Sequence, residues 1–314
     1  MAMADFKEKL ADAVVLLNDE PMARHTTFRI GGPAELYTVA RDAKELRIAV
    51  TLAQEWVVPY LVLGAGSNVL VGDEGIGGLV INNKGAGGRP LAIGVQGRDE
   101  ELWVESGMSL ARLARETAQA GWEGVEWAVG IPGTVGGGIV FNAGAHGCSV
   151  AQVLDRVRVL MPQGRVEEWR AEELGLAYRR SRLSKGDGVA GSAIILEASF
   201  RLRRASRESL HQRLEEYEAY RRRTQPHQAS AGSVFKNPLG YAAGWLIQEV
   251  GLKGYRIGDA QFSPLHANFI VNLGQATAVQ VKALMALAQE RVLENFGVAL
   301  EPEIRFLGRG EVGE

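Results

Sequence analysis

Only one cysteine, Cys148, occurs among the 314 residues, which excludes an internal disulfide and fits a reducing cytosol. Charge of one sign is not in excess either. The balance of 35 Lys and Arg against 37 Asp and Glu leaves a formal net charge of -2, so there is no basic surplus to neutralise a nucleic-acid backbone. The densest basic spots, at 201–204 and 221–223, are balanced by Glu208, Glu215, Glu216 and Glu218 and read as solvated helix faces. No apolar run is long enough to span a bilayer. The opening MAMADFKEKLADAV lacks the apolar core between basic residues that a secretion signal needs. His25, His146 and His266 are not spaced as metal ligands, and no Cys/His cluster accompanies them. Neither glycine-rich stretch contains Gly-Lys-Ser/Thr, so a Walker loop is excluded. Repeats and low-complexity tracts are absent. These absences predict a soluble, cytoplasmic chain without metal, membrane or nucleic-acid partner, long enough for two or three domains.

What the chain has in quantity is glycine, 39 residues, and it is concentrated. GIPGTVGGGIVFNAGAHG runs from Gly130 to Gly147, with further glycines at 133, 136, 137, 138 and 144. That density predicts no helix, and the interleaved Ile131, Val135, Ile139, Val140 and Phe141 make the stretch too apolar for a flexible linker. Packed glycine-rich backbone serves either to bring N–H groups close to an anion such as pyrophosphate, or to make a tight turn between core strands. A second loop of this kind, Gly64-Ala65-Gly66-Ser67-Asn68, follows the apolar run Tyr60–Leu63. It matches half of G-x-G-x-x-G. Val69 then occupies the last glycine position and no helix-length periodic segment follows, so the Rossmann turn is excluded. Backbone N–H groups, with Ser67 and Asn68, would have to meet a phosphate there.

Phe6, Leu10, Ala13 and Leu17 predict a lead-in helix over residues 1–18. A Gly31-Gly32-Pro33 break precedes a short alternating strand, and Asp42 with Glu45 starts a helix lined by Leu46, Val50 and Ala53 and stopped by Pro59. With Tyr60–Leu63 as a strand, this is a βαβ unit. Further on, 102–107, 154–161 and 193–202 read as strands, and 109–121 as a capped helix with Leu110, Leu113 and Ala114 inward. Tyr178-Arg179-Arg180-Ser181-Arg182 lies between the last two of those strands. Residues 206–224 form a charged helix, 224–240 a turn-rich loop with Ser233, Lys236 and Asn237, 266–277 a strand, 278–296 a long helix capped by Thr277 and Gly297, and 301–308 a final strand. The textures predict an α+β chain.

The run HTTFRIGG, LGAGSN, GIPGTVGG, NAGA, YR-R-S, AGSVFKNP, HANFIVN and EIRFLG, in this order from about residue 25 to 308, resembles the UDP-N-acetylenolpyruvoylglucosamine reductase family. Lacking a tyrosine-bearing insertion after Arg179, the chain is similar to the shorter subtype. It departs from the family at Gly258-Asp259-Ala260 and at His146. The resemblance implies an FAD-binding fold of the vanillyl-alcohol-oxidase class with three parts: residues 1–86 joined by 302–314, residues 87–205, and a substrate domain over 206–301. A monomer or weak oligomer is expected.

It also implies a chemistry. The family takes a hydride from NADPH onto non-covalent FAD and passes it to the methylene carbon of the enolpyruvyl ether of UDP-N-acetylenolpyruvoylglucosamine. By resemblance, Gly64, Ala65, Gly66, Ser67 and Asn68 hold the FAD pyrophosphate. Gly133, Thr134, Gly136 and Gly137 flank the cofactor, with Ala143 and Gly144 nearby. Arg179 would hold the substrate carboxylate and the developing enolate, Ser233 would protonate carbon, and Glu303 would act on the same intermediate. Lys236 and Asn237 would meet the UDP phosphates. Each has a plainer reading taken alone: Arg179 as a surface arginine, Ser233 as a turn residue, Glu303 as an edge-strand carboxylate. Two rivals remain at this level, a flavin oxidase of the same fold and a non-catalytic nucleotide-binding regulator.

Overall fold

The computed structural model describes residues 2–85, 101–184, 192–309 and 311–312; the expected boundary between 86 and 87 lies outside them. The chain divides into two compact units: residues 1–18, 36–65 and 78–220 form the first, and residues 19–35, 66–77 and 221–314 the second. Helices and largely antiparallel sheets alternate through both, an α+β fold.

The helices are α1 (Ala2–Ala11), α2 (Ala43–Glu55), α3 (Leu110–Gln119), α4 (Val135–Val140), α5 (Arg207–Thr224), α6 (Ala243–Glu249) and α7 (Ala278–Phe296). The first strands are β1 (Leu16–Pro21), β2 (Pro33–Val39), β3 (Tyr60–Leu63), β4 (Val69–Val71), β5 (Ile76–Asn82) and β6 (Glu101–Glu105).

In the first unit, α2 starts where local chemistry demands. Asp42 Oδ1 accepts from Glu45 N at 2.8 Å, and the Glu45 carboxylate accepts in return from Arg41 N at 2.8 Å, which satisfies two otherwise orphaned donors. Leu46, Ala49, Val50 and Ala53 then fall on one buried face. Each larger apolar side chain among them contributes about 1.5–3 kcal/mol on burial. That face packs into a core with Phe6, Leu10, Leu36, Leu79 and Ile81. The sheet order is β1–β2–β5–β3, with β3 parallel to β5, so the two strands of the expected βαβ unit are separated by a third. A second sheet places β6 beside Ile194–Arg201, then Leu154–Leu160, then Val166–Arg170, all antiparallel. Val104, Leu113, Val157, Ala198 and Phe200 belong to its core.

In the second unit, β4 runs parallel to Arg305–Gly308 with Val69 opposite Arg305. α7 carries the capping box of Thr277 and Gln280 and ends on Gly297 at φ +65. Its first N–H groups also bond to the Asp73 carboxylate, at 2.9 Å from Ala278 and 3.2 Å from Val279. Its inner face, Val281, Leu284, Ala288 and Val292, packs with Phe28, Leu70, Phe235 and Phe262.

Three local expectations are corrected. The lead-in helix ends at Ala11, and Leu17 is an exposed residue of β1: the β-branched pair Val14-Val15 and pairing with β2 favour extended chain there. The strand at 266–277 shortens to Ile270–Asn272. Most telling, the glycine-dense stretch does contain a helix, α4. Its glycines permit close packing: a Cβ on Gly136 would stand 3.0 Å from Ser106 Cβ, and one on Gly138 would stand 2.8 Å from Leu110 Cδ1. Tertiary approach here outweighs the helix cost of glycine, about 1 kcal/mol per residue.

Candidate functional site

The first glycine-rich loop is shaped by absent side chains. In the first unit, a Cβ on Gly64 would lie 2.5 Å from Thr134 Oγ1, so the two glycine-rich segments approach within the distance that only glycine allows. In the second unit, Gly66 has φ +61 and its missing Cβ would lie 2.3 Å from the His25 carbonyl oxygen. Thr27 N donates to Gly66 O at 3.0 Å, which locks this bend. The N–H groups of Ala65, Gly66, Ser67 and Asn68 make no hydrogen bond within the described residues. Four consecutive unengaged N–H groups on a glycine bend are what a phosphate-sized anion satisfies.

The second glycine-rich segment differs. Gly133 N donates to Ile131 O at 2.9 Å and Gly136 N to Ser106 O at 2.7 Å. Gly137 N is capped by Thr134 Oγ1 at 3.4 Å, and Ala143 N donates to Gly138 O at 2.7 Å. The picture of two loops both offering backbone dipoles is therefore corrected for Gly133, Gly136, Gly137 and Ala143, whose N–H groups are engaged within the chain. Gly144 belongs to a hairpin with Cys148-Ser149, whose tip residue His146 stacks on Tyr217 with ring centroids 4.1 Å apart. A bend that sterically needs glycine, with free donors beside it, fits the diphosphate of a dinucleotide.

Arg179 lies in the first unit, half-buried, at φ +54 in a tight turn closed by Ala177 N to Arg180 O at 3.0 Å and Arg180 N to Ala177 O at 3.2 Å. A left-handed arginine is uncommon and costs about 1–2 kcal/mol unless its surroundings impose it. Here they do: Asn142 Nδ2 donates to Ala177 O at 3.0 Å, while Asn142 Oδ1 accepts from Ala151 N at 2.9 Å.

Ser233 and Glu303 lie in the second unit on neighbouring extended segments. Ser233 forms a β-bridge with Phe269, and Phe235 forms one with Pro302. Glu303 N donates to Val234 O at 2.8 Å. Asn68 Nδ2 donates to Glu303 O at 3.1 Å, and Arg305 N donates to Asn68 O at 2.9 Å. The first glycine loop, Ser233 and Glu303 are thus tied by a short chain of hydrogen bonds. Lys236 is ion-paired with Glu301, and Asn237 Oδ1 accepts from Ala243 N at 3.0 Å at the start of α6.

Sequence reasoning did not single out Asn142 or Asn268 as individual residues, although each lies within or beside a quoted motif, and it weighed His266 only as a metal ligand. His266 is half-buried, and its Nδ1 accepts from Asn268 N at 3.2 Å. Burial, assisted by Lys253, pushes its imidazole below the ordinary histidine range, so it is held neutral. No group of three His, Cys, Asp or Glu among the described residues could hold a metal ion. No helix among them is long and apolar enough to cross a membrane.

Comparison with known proteins points one way. Residues 34–170 match the family model "FAD binding domain", and residues 225–307 match "UDP-N-acetylenolpyruvoylglucosamine reductase, C-terminal domain". A UDP-N-acetylenolpyruvoylglucosamine reductase of Chloroflexus aggregans is 42% identical over 294 residues, which covers 94% of this chain and 98% of that relative. A second such reductase, from Symbiobacterium thermophilum, is 47% identical over 290 residues, with 92% and 91% covered. The crystal structure of the Thermus caldophilus UDP-N-acetylenolpyruvylglucosamine reductase superposes with a TM-score of 0.75 at 37% identity, covering 94% of this chain and 98% of that one.

Proposed function

This chain belongs to the UDP-N-acetylenolpyruvoylglucosamine reductase family and is an FAD-dependent oxidoreductase, and on that premise we propose that it reduces UDP-N-acetylenolpyruvoylglucosamine to UDP-N-acetylmuramate with NADPH as hydride donor. The product is a peptidoglycan precursor, so the proposed place of action is the cytoplasm. The observation that carries the reading is the bend at Gly66 with its four unengaged N–H groups, tied through Asn68 to Glu303.

FAD, held non-covalently, supplies the hydride relay between nicotinamide and substrate. Gly64, Ala65, Gly66, Ser67 and Asn68 would hold its diphosphate. Gly133, Thr134, Gly136 and Gly137, with Ala143 and Gly144, would give it room. The remaining chemistry falls to side chains. Hydride addition to the alkene leaves negative charge beside the substrate carboxylate. Arg179 would meet that charge with a planar fork of donors. Ser233 Oγ–H would then give its proton to the adjacent carbon: a hydroxyl is a weak acid, yet a carbanion-like centre is basic enough to take it. Glu303 would share a proton with the same intermediate. Lys236, with Asn237, would meet the UDP phosphates, and its pairing with Glu301 would have to loosen in exchange. The same reading divides the chain into two FAD-binding parts, 1–86 with 302–314 and 87–205, and a substrate part, 206–301.

The test is a visible spectrum of the purified protein. A flavin band is expected to bleach on adding NADPH anaerobically and to return on adding UDP-N-acetylenolpyruvoylglucosamine. Acid precipitation should release the colour into the supernatant. A protein without a flavin band, or one whose reduced flavin ignores the enolpyruvyl substrate, would defeat the proposal.

A further inference from the structure

Among the described residues, the segment Ser233–Lys236 has no regular ladder on either side. Its backbone is held by one bridge at Phe269, one at Pro302, and a side chain that imitates a strand. Asn268 Oδ1 accepts from Phe235 N at 3.0 Å, and Asn268 Nδ2 donates to Phe235 O at 2.8 Å. The carboxamide therefore closes on both polar groups of a single residue. Its orientation is fixed by the partner, since a carbonyl can only accept and an N–H can only donate. The backbone carbonyl of Asn268 accepts from Val234 N at 2.9 Å, and its backbone N–H donates to His266 Nδ1 at 3.2 Å. Phe235 is 0% exposed and Asn268 is 3% exposed, so water does not replace these bonds. On the opposite edge, Val234 O and Lys236 N bond to Glu303 and Glu301. Just before Ser233, Gly232 takes a left-handed φ of +78, and a Cβ added there would meet nothing within 4 Å, so no side-chain contact at that position fixes the bend.

We propose that Asn268 is a positioning residue for Ser233. It clamps the Phe235 peptide so that the serine hydroxyl two residues upstream is presented at a fixed place beside the Glu303 segment. The inference rests on the reductase reading, in which Ser233 Oγ–H protonates the substrate carbon. Proton delivery of that kind is steeply distance-dependent, and an ångström of misplacement costs about 100-fold. The hydride-accepting half of the reaction does not use the serine, so loosening the clamp separates the two halves.

Stopped-flow measurements on holoenzyme test this, with flavin reduction by NADPH and flavin reoxidation by UDP-N-acetylenolpyruvoylglucosamine followed separately. Asn268→Ala should slow reoxidation by about 10- to 100-fold, leave reduction within about twofold, and abolish hydrogen-exchange protection of the Phe235 N–H. Asn268→Asp keeps an acceptor for that N–H but sets an oxygen against the Phe235 carbonyl. It should slow reoxidation while retaining exchange protection, and it decides the matter if the alanine variant does not fold. Reoxidation at the wild-type rate in either folded variant overturns the proposal, as does equal slowing of both half-reactions. A wild-type enzyme whose reduced flavin is not reoxidised by the substrate overturns the reductase reading instead.

Discussion

The side-chain amide of Asn142 donates to the carbonyl of Ala177 at 3.0 Å, and through that bond the glycine-rich stretch holds the turn that displays Arg179. Asn142 is itself 9% exposed, sits at φ +43 two residues past the end of α4, and accepts from Ala151 N. Ala143, proposed to lie near the flavin, thereby directly follows the residue that sets the arginine's backbone.

Asn142→Ala removes both bonds and leaves the Ala151 N–H without its acceptor. Each loss is worth about 1–3 kcal/mol, and the strained φ of Arg179 then has less to hold it. Substrate turnover should fall by at least about 10-fold, with a melting temperature lower by a few degrees. Steady-state assay together with a thermal melt checks this. Full turnover in a destabilised variant would mean that the turn does not depend on Asn142.

Two glycine substitutions should differ sharply. Gly66→Ala places Cβ 2.3 Å from a backbone oxygen at φ +61, a clash that no rotamer relieves. A loss of about 2–4 kcal/mol and weakened FAD retention are expected. Gly147→Ala also requires a positive φ, +78, but meets nothing within 4 Å, so only the left-handed penalty of about 1–2 kcal/mol applies. Chemical denaturation and flavin content of the two variants give the comparison; equal effects would remove the steric argument for the first loop.

Ser233→Ala should leave flavin reduction by NADPH intact and slow turnover of the enolpyruvyl substrate by orders of magnitude, the pattern of a group that acts only in the second transition state. Rapid-reaction spectroscopy separates the steps. Unchanged turnover would remove Ser233 from the mechanism.

His266 makes stability depend on acid. Burial lowers its pKa in the native state, so the stabilising neutral form is fully present above the unfolded value of about 6.5. As pH falls below that value, the unfolded chain binds a proton that the native ring resists, and stability declines. Protonation also removes the Nδ1 acceptor that Asn268 N uses. Urea midpoints should drop more steeply with acid in the wild type than in His266→Gln. Parallel slopes would show that the ring titrates alike in both states.

Much of the architecture is legible in local chemistry. The Asp42 and Glu45 start of α2, the Ser109 start of α3 and the Thr277 to Gly297 span of α7 were predictable because caps and apolar spacing act within a few residues. The positions of the two glycine-rich segments were equally plain, and so was their glycine demand. What neighbouring residues could not reveal was which N–H groups remain available. Those of Gly133 and Gly136 are engaged by Ile131 and Ser106, and the Ser106 carbonyl arrives from a remote part of the chain.

The sequence by itself determined the helices, the bends and the set of chemically capable side chains, because each depends on spacing and on φ preferences that travel with the residue. Only the tertiary structure decided that a glycine run could be the helix α4, that Asn142 would hold the Arg179 turn, and that Asn68, Ser233 and Glu303 would share one hydrogen-bonded cluster. These outcomes depend on bonds between residues dozens to hundreds of positions apart. No periodicity encodes such bonds, because their partners are chosen by the packing of the whole core.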